Sequence, residues 1–379
     1  MADSKRMTIV LLASARSVHT RGWAAALSRA GHRVVVASLQ PGPHVSGVDL
    51  RVAPKVDGEL GRRLPLSVFW LRQLIREIRP DVIEVLSLGT YGLLSLALPK
   101  GPARVLMPYG GELRAARRSV TRACVLRLAL RRGAMVLPGS EELKAELVDR
   151  YAIPAERVEV HSWGVDEDLI TAQPLISPKA VRSSLGIPRD ATVVLSVRAT
   201  SAIYRTLSIV SAFTQAAPSR PDLFLVVFAG APVDRESARR AQKTYFDRVC
   251  EAARPVADRA LIIERTLSRK QIFELMCASD IVVSIPHEDQ HSFAVLEAAL
   301  AGPRILLSDI PPNQQMTSDG LTADLLGEPI TRTLTQKLGE VSADQRIQHR
   351  NRDYVLRREH GGKKLAEHED LFRRLSGHA

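Results

Sequence analysis

Cysteine is nearly absent from this chain: Cys124, Cys250 and Cys277 are its only three among 379 residues. They are odd in number and widely separated, which excludes a disulfide framework and a paired-cysteine zinc site and fits a reducing cytoplasm. Aromatic residues make up only 4% of the chain, too few to interleave with the basic residues as a base-stacking surface needs. No zinc-finger or helix-turn-helix pattern accompanies the charge either, so nucleic acid is not expected as a partner. Long apolar runs are missing too. The longest uncharged stretch, residues 85–99, contains Gly89 and Gly92 and falls short of the ~20 apolar residues a membrane-spanning helix requires. The opening MADSKRMTIVLLASA runs straight into a helical pattern and reads as a first buried strand rather than a signal peptide. There is no Walker loop and no G-x-G-x-x-G, which argues against a kinase or an NAD enzyme.

What the chain does have is length, charge and a repeated pattern. A hydrophobic fraction of 45% with 25% charged residues is that of an ordinary globular protein, and 379 residues exceed what one core organises. Lys and Arg number 53 against 41 Asp and Glu, a net +12. Residues 1–172 hold 25 of the basic and 17 of the acidic residues, so the excess is concentrated in the first half and suits an anionic partner there.

Short β-branched runs alternate with helical stretches twice over. In the first half they fall at 8–12, 34–37, 82–85, 104–107, 135–137 and 158–160; after the Pro-spaced stretch 173–188 they resume at 193–197, 223–228, 260–263, 281–285 and 305–307. Gly31 stops a helix on which Trp23, Leu27 and Ala30 share a face. Ser140 and Ser268 read as helix N-caps, the latter in a capping box with Gln271. Runs apolar on both faces and separated by helices indicate parallel sheets covered on both sides. The expectation is α/β: two Rossmann-like, doubly wound domains facing each other across a cleft. Their predicted extents are 1–170 and 171–355, with 356–379 a C-terminal helix returning to the first domain.

The most informative segment is DIVVSIPHEDQHSFAVLEAALAGPRILLSDI, residues 280–310. A strand feeds a polar loop and then a helix starting near Ser292 and Phe293. Only apolar residues flank Glu297 on that helix, and a lone buried carboxylate is costly unless something donates to it. Ribose hydroxyls would serve, and so would an arginine of the same domain; the residues alone leave both open. A helix N-terminus at the carboxyl end of a parallel strand suits a diphosphate. Asp289, eight residues before Glu297, lies on the loop beside it.

Asp289-x7-Glu297, followed by Ala298-Ala299-Leu300-Ala301-Gly302, resembles the paired-acid motif of the retaining glycosyltransferases of family 4, which have the GT-B fold. The resemblance implies that Glu297 holds the ribose of a nucleotide sugar and Asp289 contacts the donor sugar, with Asp in place of the usual Glu. Val197-Arg198 resembles the family's Gly-Arg pair, with Val for Gly. Arg205, seven residues on, takes the part of a lysine, so both arginines would bind the diphosphate beside Ser292 and Phe293. Arg205 reads equally as a solvated charge at a helix start. Ser17-Val18-His19-Thr20-Arg21-Gly22-Trp23 and the segment 158–166 resemble the first domain's opening and close. Tyr109 and Glu112 stand on the acceptor side where many members have His-Gly-x-Asp, Tyr replacing His.

The resemblance thus implies sugar transfer from a nucleoside-diphosphate sugar to an acceptor, with retention, catalytic parts for Asp289, Glu297 and His19, and neither a metal nor any cofactor beyond the co-substrate. The acceptor is open, an anionic one fitting the basic first half. A peripheral contact with an anionic membrane from the cytoplasmic side is implied by membrane-associated relatives, although Arg and apolar residues are poorly segregated over residues 114–132. Asp166-Glu167-Asp168 has the D-x-D form but reads as turn chemistry at a domain junction. His19 and His291 read either as site residues or as solvated loop histidines. Two other readings stay open: a sugar-nucleotide epimerase, and a non-catalytic homologue that binds the nucleotide sugar.

Overall fold

The structure is a computed structural model, and it describes residues 6–54, 60–230, 236–340 and 345–377. The chain divides into two compact units, Met1–Trp163 with Gly362–Ala379 and Gly164–Gly361. The expected boundaries at 170/171 and 355/356 are displaced by pairing that a sequence does not show. Val165 bridges His360 in parallel, its N–H donating to Glu359 O at 2.7 Å and its carbonyl accepting from Gly361 N at 2.9 Å. The segments that enter and leave the second unit are therefore joined within it. Gly164 makes this possible: φ is +68°, and a Cβ there would lie 2.5 Å from Glu359 O, so only glycine fits.

The first unit is built on β1 (Thr8–Leu12), β2 (Arg33–Ser38), β3 (Val48–Val52), β4 (Val82–Leu86), β5 (Ala103–Met107) and β6 (Met135–Val136). They form one parallel sheet in the order β3-β2-β1-β4-β5-β6. The edge strand β3, VDLRV, is half-exposed, and its charges hid it from a pattern that sought apolar runs. Residues 158–160, expected as a strand, contribute only a single bridge from Val158 to Val136.

The second unit repeats the plan with β7 (Thr192–Ser196), β8 (Leu223–Phe228), β9 (Ala260–Ile263), β10 (Ile281–Ser284), β11 (Arg304–Ser308) and β12 (Asp324–Leu326). The order is β12-β11-β10-β7-β8-β9, the assigned ladders all parallel. Side chains alternate between the sheet faces as strand geometry requires. Val193, Leu195 and Val282 join one buried cluster, while Val194, Ile281 and Val283 join the other. Each fully buried Val or Leu contributes about 1.5–3 kcal/mol, so covering both faces explains why these strands read as continuous apolar runs.

In each sheet the chain winds outward one way and then returns to the centre, leaving a switch point between β1 and β4 and another between β7 and β10. Loops diverge at the carboxyl ends of such strand pairs, and ligands of doubly wound sheets bind in the crevice this leaves. No helix of the described residues is long and apolar enough to cross a membrane.

Candidate active site

Arg198 lies two residues past β7, and Asp289 and Ser292 lie on the loop after β10, so the second unit's switch point brings them together. The Arg198 guanidinium donates to Asp289 Oδ2 at 2.8 Å, Ser292 Oγ at 2.5 Å and the Tyr204 hydroxyl at 2.8 Å. It also sits 4.2 Å from the centroid of the Tyr204 ring. Burial works against its charge, but Asp289 and Tyr204 more than offset this and hold its pKa above the ordinary value. Ser292 is the N-cap residue of the helix Phe293–Ala301, yet its side chain makes no capping bond. Its hydroxyl faces Arg198 instead. The helix ends at Gly302 with φ 105°, the left-handed stop that glycine adopts without strain.

Glu297 is buried, with 6% of its surface exposed. Of the two partners its environment left open, the structure contains the arginine. Arg269, first residue of the helix Arg269–Cys277, donates to Glu297 Oε1 from Nε at 2.7 Å and from Nη2 at 2.5 Å. The same guanidinium bonds Asp166 through Nη1. Burial raises the Glu297 pKa above its ordinary value; Arg269 and Arg198 pull it down and Asp166 pushes it up.

Arg205 is not a solvated charge. It occupies the left-handed N-cap of the helix Thr206–Ala216, φ 52°, and its side chain is only 13% exposed. Nη1 donates to Glu328 Oε1 at 2.6 Å, and Nε to His287 Nδ1 at 2.9 Å. His287 N in turn donates to Ile203 O at 3.1 Å, tying the loop after β10 to the turn after β7. His291 lies 3.1 Å from Glu359. Further along the carboxyl edge, a cavity of about 910 Å³ opens beside Thr200, Gly230, Lys243, Glu264, Arg265 and Thr266, a volume suited to a small ligand.

The first unit's switch point has another chemistry. His19, exposed at the start of the helix Val18–Arg29, meets the Tyr109 ring edge-on at 6.5 Å and lies 6.2 Å from Trp163. Burial, then Glu84 and Glu112, push the Tyr109 phenol well above its usual pKa, and no hydrogen-bond partner reaches its hydroxyl among the described residues. Glu112 holds backbone rather than facing outward: Oε1 accepts from Leu88 N at 2.7 Å and Tyr109 N at 2.9 Å. That carboxylate fixes the loops after β4 and β5.

Sequence reasoning missed the group beneath them. Glu84, fully buried in β4, accepts from Trp23 Nε1 at 2.7 Å and lies 3.1 Å from His368 Nε2. His368 Nδ1 meets His161 Nε2 at 2.7 Å, and Trp23 stacks on Trp163 at 5.6 Å. Burial, then His368 and Lys364, hold the His161 pKa well below its ordinary value. The available signal was the lone acid in VIEVL, a run otherwise apolar on both faces. Arg269, Tyr204, His287 and Glu328 left no comparable trace.

Two doubly wound sheets, each with polar groups gathered at its switch point, make an architecture that known proteins share. Residues 17–169 match the model of Glycosyltransferase Family 4, and the two doubly wound sheets have the GT-B fold of the solved structures that superpose on the chain. A search of curated proteins gives no match. Among solved structures, sucrose-phosphate synthase from Thermosynechococcus elongatus superposes with a TM-score of 0.80 at 16% identity, over 99% of this chain and 100% of the other. HepE from Anabaena, solved in complex with UDP-glucose, gives 0.76 at 16% identity over 98% and 100%. WaaG, a glycosyltransferase involved in lipopolysaccharide biosynthesis, gives 0.73 at 15% identity over 97% and 100%.

Proposed function

We propose that the chain transfers a sugar from a nucleoside-diphosphate sugar to an acceptor hydroxyl with retention, using no metal and no resident cofactor. The observation that carries this is the convergence, at the second unit's switch point, of Arg198, Arg205, the N-terminus of the helix Phe293–Ala301 and the buried Glu297. Two guanidinium groups and a helix N-terminus suit the diphosphate, whose negative charge grows as its bond to the anomeric carbon breaks. Glu297 accepts from the ribose hydroxyls, and Asp289 orients the donor sugar. The base takes the neighbouring cavity near Thr266. The acceptor oxygen attacks the face the diphosphate leaves, its proton passing to a departing phosphate oxygen. The solved complex of HepE with UDP-glucose is consistent with such a donor.

His19 and Tyr109 are assigned to the acceptor side, with Glu112 fixing the loop that carries Tyr109. A peripheral contact with an anionic membrane, on the cytoplasmic side, is assigned to the helix Val120–Arg131. There Val120 is 82% and Leu128 52% exposed, beside the exposed Arg122 and Arg127. Equal binding to neutral and anionic vesicles would contradict that contact. One observation favours a second reading: Asp289 and both arginines are already paired within the unit, as in a homologue that binds the donor without turning it over.

A thermal-shift panel with UDP, GDP, ADP and dTDP tests the donor site. A ligand at a hundred times its dissociation constant adds ~2.7 kcal/mol of stability. Stabilisation by one nucleotide, followed by transfer from its sugar to an acceptor, is the expected result. Stabilisation with no turnover selects the non-catalytic homologue, and turnover of the donor into an isomer without acceptor selects an epimerase. No stabilisation by any of the four contradicts a nucleotide donor.

A further inference from the structure

Arg269 breaks a local rule. It is the first residue of its helix, after the Ser268 capping box, where the macrodipole disfavours a cation. Asp166 breaks another. It stands at the N-cap of the helix Glu167–Ala172, a position whose side chain ordinarily accepts from the helix, and it makes no such bond. Both departures have one explanation in the structure. The Arg269 fork places Nε and Nη2 on a single oxygen of Glu297, Oε1, while Nη1 is held by Asp166. Local rules are given up where a site requires it.

We propose that Arg269 is a positioning residue for the nucleotide: it fixes the Glu297 carboxylate, keeps it ionised and leaves its other oxygen for the nucleoside hydroxyls, while Asp166 fixes Arg269. This rests on the reading of Glu297 as the nucleoside anchor. Glu297 is buried on a helix of apolar neighbours, where an unpaired carboxylate takes up a proton. The charged groups acting on it are Arg269 from the start of the helix Arg269–Cys277, Asp166 from the segment entering the unit, and Arg198 from the loop after β7. Arg198 is engaged with Asp289, Ser292 and Tyr204, so Arg269 is the cation that directly contacts the carboxylate. An ionised carboxylate accepts from two hydroxyls; a protonated one donates and loses that capacity. The fork geometry further implies that lysine replaces Arg269 incompletely, since an ammonium lacks the planar pair of donors.

The test is calorimetric titration of the nucleoside diphosphate that the wild-type chain binds, between about pH 6 and 9, with Arg269→Met, Arg269→Lys and Asp166→Asn. Wild-type affinity is expected to be flat over that range. Arg269→Met is expected to bind about tenfold to a hundredfold more weakly near neutrality, as when a supporting partner of a ligand-contacting group is lost. Its affinity should recover as pH rises and Glu297 ionises, a profile that loss of fold would not produce. Arg269→Lys should recover part of the loss. Asp166→Asn, altering a side chain that is 30% exposed, should weaken binding a few-fold and tests the same chain of contacts if Arg269→Met does not fold. Affinity unchanged by Asp166→Asn, or a flat profile at wild-type affinity or tighter in Arg269→Met, overturns the proposal, a tighter complex meaning that Arg269 obstructs the site. If the wild-type chain binds none of the four nucleotides, the reading of Glu297 fails first and this inference with it.

Discussion

The two units share one topology and use its switch point in opposite ways. At the carboxyl ends of β7 and β10, the second unit gathers Arg198, Arg205 and Arg269, each paired with a carboxylate on another element. Beside and beneath the ends of β1 and β4, the first unit gathers His19, Tyr109, Trp163, Trp23, Glu84, His161 and His368, ring against ring around one buried acid. A cluster of cation pairs is suited to an anion that exchanges partners with the acids already present. An aromatic and imidazole cluster suits neutral hydroxylated groups and has little charge to offer. Identical strand order therefore says where each site lies, and the residue types say what each can hold.

The sharpest way to break the comparison is to remove charge from the second unit. Arg198→Ala deletes the group that joins Asp289, Ser292 and Tyr204, and truncating one partner of a buried charged pair costs about 2–5 kcal/mol. Nucleotide affinity measured by calorimetry should fall by at least roughly thirtyfold. Next in size is the first unit's buried acid. Glu84→Leu leaves Trp23 Nε1 and His368 without their acceptor, an unsatisfied-donor cost of about 1–3 kcal/mol for each buried group. Urea denaturation should show the loss, while nucleotide affinity stays at the wild-type value.

A smaller effect separates the units by pH. The His161 pKa is lowered in the folded chain, so the unfolded chain binds a proton first as pH falls below about 6.5. The stability that neutral His161 confers is present above that pH and is lost on acidification toward the folded value. His161→Gln, which carries no titrating ring, should flatten that part of the Tm-against-pH curve. The smallest effect belongs to the surface. Lys243→Gln removes the exposed pair with Asp247 and should leave the urea midpoint unchanged, because side-chain entropy and solvent screening cancel most of such a contact.

Much of the architecture was legible because parallel strands covered on both faces must be apolar on both faces, as in 193–197 and 281–285. The edges were not: β3 carries Asp49 and Arg51, and β12 is only DLL. The unit boundary is not legible in sequence because it depends on a backbone bridge between Val165 and His360, which leaves no mark on residue type. In the site, Glu297 stands out as a lone acid among apolar residues, and Asp289 and Arg198 through their resemblance to the family-4 motifs. Arg269 and Tyr204 do not, since an Arg at a helix start and a Tyr in a turn are ordinary in sequence and acquire meaning only from what they touch. In sequence Asp166 reads as turn chemistry, whereas in the structure its carboxylate is taken up by Arg269.

The most direct test of the account compares nucleotide binding in three chains: wild type, Glu297→Ala in the second unit and Glu112→Gln in the first. Calorimetric titration with UDP, GDP, ADP and dTDP should show one nucleotide bound by the wild type, lost in Glu297→Ala and retained in Glu112→Gln. Binding that survives Glu297→Ala, or that is lost only in Glu112→Gln, would contradict the assignment of the donor to the second unit.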